Sequence, residues 1–125
     1  MRHLTTILIA VAASASAVAA SAAPQRLSDV QYVEASRCVG LMSSASLGPP
    51  EGADLRAYVE RQGWTREPAA EDAAEQARDD ARSAAARASG YTRTQLLAER
   101  NGVCRSFTAA TTAAAASPSP ARALQ

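Results

Sequence analysis

Cys38 and Cys104 each lie on an apolar stripe of helical period, one near each end of the structured chain. The first stripe is Tyr32, Ala35, Cys38, Val39, Leu41, Met42 and Ala45; the second is Leu96, Leu97, Arg100, Val103, Cys104 and Phe107. Two cysteines allow a single internal bridge, and an oxidising compartment favours its formation. A zinc or redox site would need more ligands or a C-x-x-C spacing, and neither is present. The pattern therefore predicts a disulfide that holds two helices side by side. Closing a loop of about 66 residues stabilises a fold by roughly 4 kcal/mol in the chain-entropy model. The triplet Cys38-Val39-Gly40 also reads as the reverse of Gly102-Val103-Cys104. On antiparallel helices the two glycines would let the backbones approach near the bridge.

Around that bridge the chain reads as all-α, a small three- or four-helix bundle with helices at about 29–44, 53–62, 68–89 and 92–110. Ser28 and Gln31 form a capping box before the first helix, and Leu27 with Tyr32 forms a hydrophobic staple. Gly48, Pro49, Pro50 and Gly52 punctuate the chain before a short second helix with Leu55, Tyr58 and Val59 inward. Gly63 stops that helix, and Trp64 reads as the largest core residue. The third helix opens on Pro68 and has no large apolar side chain. Its apolar face is Ala70, Ala73, Ala77, Ala81, Ala84 and Ala88, so it has high helix propensity and little to bury, and could sit detached. A second capping box, Thr92 with Gln95, and a Tyr91–Leu96 staple mark the fourth helix. Asn101-Gly102 often ends a helix, but the apolar period runs through it, so one continuous helix to about 110 is expected. Residues 111–125 read as a low-complexity, disordered tail. Large apolar residues are few, so the helical domain, residues 23–110, depends on its covalent staple.

The first 22 residues read as a cleavable signal peptide. Arg2 and His3 begin it, an uncharged apolar run follows over 4–20, and Ala20-Ser21-Ala22 fits the cleavage rule. No cysteine stands just after the cut, so the expected product is periplasmic or secreted rather than a lipoprotein, with no stable membrane insertion once the signal is removed. Arg2 leaves with the signal, so 12 of the 13 basic residues face 12 acidic ones. A neutral chain has no general attraction for nucleic acid. The single histidine, His3, also leaves, which removes the commonest general base and metal ligand.

Candidate sites are correspondingly sparse. No catalytic set, metal site or cofactor is predicted. The acidic residues Glu71, Asp72, Glu75, Asp79 and Asp80 read as a solvated helix face laced with arginine. Glu34 and Arg100 border the two cysteine stripes, and a half-buried pair between them would fix register. Tyr58 and Trp64 read first as core; left in solvent, either would be an interface anchor. The expected function is a non-enzymatic protein-interaction or envelope structural module whose partner is another envelope or secreted protein. Carriage of a small apolar ligand between helices is the alternative, and a histidine-free enzyme is a further, weaker one.

Overall fold

The computed structural model describes residues 26–116. The signal read at 1–22 and the last part of the expected tail, 117–125, lie outside the described residues. The architecture is all-helical: α1 Asp29–Met42, a 3-10 turn Ala45–Leu47, α2 Ala53–Gly63, α3 Pro68–Arg87, α4 Gly90–Asn101 and α5 Val103–Ala116. It is the expected four-helix arrangement with its last helix broken in two.

The start of α1 follows from local chemistry. Ser28 Oγ accepts from the Gln31 amide at 3.2 Å, and Gln31 Oε1 accepts from the Ser28 amide at 3.0 Å. Leu27 packs on the core that contains Tyr32. From Cys38 to Met42 five successive residues are buried. A helix buried all round lies inside its neighbours rather than beside them, so α1 is the central helix of the domain.

The Ala-rich α3 is docked on α1, not detached. Its buried residues are Ala74, Ala81 and Ala85, with Ala70, Ala77, Ala84 and Ala88 half-buried and Ala73 exposed. Five of the six expected alanines are thus at least half-buried, and the face is turned toward Ala74 and Ala85 so that Ala73 falls outside it. Alanines occupy so many positions of α3 that spacing alone leaves its orientation open; the facing surface of α1 decides it. At the crossing, a Cβ built on Gly40 would lie 2.4 Å from the Arg78 carbonyl oxygen and 2.9 Å from Ala81 Cβ. Gly40 therefore lets α3 approach α1. The disulfide does not need it for that purpose, which corrects the role expected from the mirrored triplets.

Cys38 and Cys104 are bonded, with their Cα atoms 5.2 Å apart, and join α1 to α5. The fourth helix departs from expectation at three places. It begins at Gly90 with Ser89 as N-cap, so Thr92 and Gln95 lie inside it and Tyr91 is left 77% exposed instead of forming a staple. It stops at Asn101, where the Gly102 amide donates to the Ala98 carbonyl at 2.9 Å. The chain then restarts as α5 and stays helical to Ala116, six residues into the stretch read as a tail. Alanine carries helix further than the low complexity suggests, while Thr108, Thr111 and Thr112 bond back to carbonyls one turn earlier.

Candidate functional site

Helix α2 positions both aromatic candidates and sends them to different surfaces. Tyr58 is half-buried, with the Arg61 guanidinium 6.0 Å from its ring centre. It lines a groove of about 630 Å³ between α5, α2 and the start of α1, with Leu27, Glu34, Val103 and Phe107 on the other walls. Trp64 is the C-cap of α2 and is 82% exposed. It is not the core residue that the sequence suggests. The chain turns into α3 immediately after α2, and the space inside that corner is taken by Arg66 instead.

Arg66 is the residue that sequence reasoning missed. Its side chain is 1% exposed although it follows a helix end. The guanidinium stacks on the Tyr32 ring at 4.6 Å, donates to the Leu27 carbonyl and pairs with Asp29, while Nε donates to the Gln62 carbonyl at 3.3 Å. A planar fork with five donors can serve a ring face and several acceptors together. Asp29 and Leu27 lie 37 and 39 residues away in sequence, so only an aromatic and a carboxylate near the α1 start could have hinted at it.

Beside Trp64 a second cavity of about 300 Å³ opens between α1, α2 and α3. Tyr32, Ser36 and Ala74 line its inner side, and Glu60, Glu71 and Glu75 line its rim. Burial raises the Tyr32 hydroxyl above its ordinary pKa, and Glu71 adds to the rise; Arg66 and Arg78 oppose it. Arg78 also faces this cavity, and its Nε is buried without a hydrogen-bond partner. The site combines one solvated indole, a polar recess and a rim with more acid than base. Among the described residues no group of histidine, cysteine, aspartate and glutamate side chains is placed to hold a metal ion.

The other singled-out residues fall elsewhere. Glu34 is exposed on the Tyr58 groove and does not meet Arg100. Arg100 is buried at 5% exposure, donates to the carbonyls of Leu47 and Pro49, and lies 3.8 Å from Glu51. Gly48, at φ 140°, makes room for it: a Cβ there would sit 2.6 Å from Arg100 Nη1. The loop before α2 places two carbonyls within reach of the guanidinium, so Arg100 caps the loop instead of pairing with Glu34. Arg37 of α1 makes the α1–α4 pair instead, with bonds of 2.6 and 3.0 Å to Glu99. That hydrogen bonding raises the Arg37 pKa further. Glu71, Asp72, Glu75, Asp79 and Asp80 are all exposed, and Asp79 pairs with Arg82 at 3.3 Å. Among the described residues no helix is long and apolar enough to cross a membrane. Compared with family models, curated proteins and solved structures, the chain has no significant match.

Proposed function

We propose that this chain is an exported, non-enzymatic helical module that binds another envelope or secreted protein through the corner around Trp64. The exposed indole carries the reading. Trp64 is 82% exposed at a helix end whose backbone is fixed by Arg66 and by α3. Tryptophan is among the side chains most often found to dominate binding energy, and here its large apolar surface is left in water by the described fold. Export is supported by the leader pattern at 1–22 and by the internal disulfide, which belongs to oxidising compartments.

Two measurements test this. The intact mass of protein purified from its host fixes the mature N-terminus; a chain that still carries residues 1–22 overturns export. For binding, Trp64→Ala is compared with the natural chain in its own compartment by native gel. The substitution should leave the melting temperature unchanged and dissolve any larger complex. A complex of the same size in both overturns the Trp64 reading. A second reading, carriage of a small apolar ligand, is favoured by the groove of about 630 Å³ beside Tyr58, Val103 and Phe107. Native mass spectrometry separates the two, since a carrier retains a stoichiometric small mass.

A further inference from the structure

The recess beside Trp64 carries a charge that its own side chains leave uncompensated. Glu60 of α2 and Glu71 and Glu75 of α3 line it, and Arg78 is the single basic residue among its walls. Among the described residues none of these three carboxylates lies in an ion pair, whereas Asp29, Glu51, Asp79 and Glu99 each meet an arginine. Gly63 sets the position of Glu71. A Cβ at Gly63 would lie 2.8 Å from the Tyr32 hydroxyl oxygen and 3.7 Å from Glu71 Oε1. The bare glycine thus lets a phenol and a carboxylate come up against the end of α2, one residue before the exposed indole.

Elsewhere the same fold answers such a combination with a guanidinium. At the start of α1, Arg66 stacks on the Tyr32 ring at 4.6 Å and pairs with Asp29. Between α1 and α4, Arg37 takes both oxygens of Glu99. The Trp64 corner has the same two partners, an aromatic face and carboxylates, with no arginine of this chain between them. Arg78 faces the recess, yet among the described residues it makes no ion pair, ring contact or hydrogen bond, and its Nε is buried. The recess therefore offers an excess of negative charge together with an open guanidinium donor. At about 300 Å³ it stands at the lower limit of ligand pockets, with room for one long side chain and not for a helix.

Resting on the reading that Trp64 binds a partner protein, we propose that this recess receives an arginine side chain from an exposed segment of that partner. The guanidinium enters among Glu60, Glu71 and Glu75 with its stem along the indole, and a main-chain carbonyl of the same segment accepts from the Arg78 guanidinium. Charge complementarity selects the occupant: three carboxylates against one base call for a cation. Arginine suits the corner better than lysine, because a planar fork serves a ring face and several carboxylates together. Tryptophan is also the strongest of the aromatic faces for a cation. Binding of this kind weakens as salt rises.

Trp64 is the only tryptophan, so its indole N–H signal in a nitrogen–proton spectrum reports on this corner alone. The oxidised chain without its leader is titrated with the blocked peptide acetyl-Ala-Arg-Ala-amide, and with the same peptide carrying lysine or glutamine at its centre. The arginine peptide should move the signal saturably, the lysine peptide should bind more weakly, and the glutamine peptide should leave the signal in place. Glu71→Gln combined with Glu75→Gln should weaken the arginine peptide about tenfold with the melting temperature unchanged. No saturable movement with arginine, an equal response to glutamine, or undiminished affinity in the double variant overturns the proposal. An equal response to lysine overturns the choice of arginine. The native gel separates this inference from the reading beneath it. A complex lost in Trp64→Ala and kept in the double glutamine variant leaves the Trp64 interface standing and overturns the arginine; a complex unchanged in both overturns the two together.

Discussion

At Gly40 a single absent methyl sets the distance between two helices. Glycine to alanine inside a helix ordinarily adds about 1 kcal/mol of stability. Here the new Cβ would meet the Arg78 backbone 2.4 Å away, so α3 must move. Gly40→Ala should therefore destabilise the domain by about 1–2 kcal/mol, read as a lower urea midpoint; an unchanged or higher midpoint would mean that α3 yields freely. Tyr32 makes a second prediction. Its folded pKa is raised, chiefly by burial, above the ordinary 10.0. The unfolded phenol then loses its proton first as pH rises, so this contribution is complete below about 10 and is lost as pH climbs through the folded value. Urea midpoints taken across that range should fall with pH, and Tyr32→Phe should fall less. What is legible at this scale is local: Ser28 and Gln31 bond three residues apart, and their spacing alone announces them. Arg66 and Arg37 act across long stretches of chain, where spacing says nothing about which acceptor a guanidinium will meet.

Among the elements, the four helical segments are legible from apolar period and caps, and their orientations less so. An alanine stripe presents nearly the same surface over a range of rotations, so the buried face of α3 takes in Ala74 and Ala85 and leaves out Ala73, while the other expected alanines stay at least half-buried. The break at Gly102 is marked by Asn101-Gly102, yet the continuing period outweighs that mark. Trp64 reads as core because large apolar residues are scarce in this chain; the corner it follows is filled by an arginine. Helix α4 owes its place to such an arginine. Arg100→Met would keep the aliphatic stem and leave the Leu47 and Pro49 carbonyls without their donor. We expect a loss of about 2–4 kcal/mol in chemical denaturation. A loss below about 1 kcal/mol would show that water replaces the guanidinium.

For the molecule as a whole, few large side chains are fully buried, Leu41 and Leu55 foremost; Tyr32, Val39, Met42, Leu47, Val59 and Leu96 are nearly so, and small alanines and a disulfide fill in around them. A domain of this size has about 5–15 kcal/mol of net stability. Replacing Cys38 and Cys104 together by serine should remove roughly 4 kcal/mol of it. The midpoint of urea unfolding without reductant measures this directly, and an unchanged midpoint would mean that the bridge constrains a chain that is already compact when unfolded. The pairing itself is legible from number, since two cysteines leave one internal choice. The site is only partly legible. Tyr58 and Trp64 stand out together in the sequence, but one helix turns them to opposite sides, and the polar recess beside Trp64 is assembled from three helices that no local pattern connects.

The bridge between the first and last helices also decides how this protein would carry a load. A pull applied at residues 26 and 116 runs along the start of α1, across the sulfur atoms and out through α5. Residues 38–104 lie in a closed covalent loop and bear no tension. Only 26–37 and 105–116 can be drawn out, to a combined length of about 80 Å at roughly 3.4 Å per residue. In an optical trap the oxidised chain should stop lengthening there, and should release the enclosed loop in one further step when a reductant is added. Mechanically it is a short tether with a locked reserve.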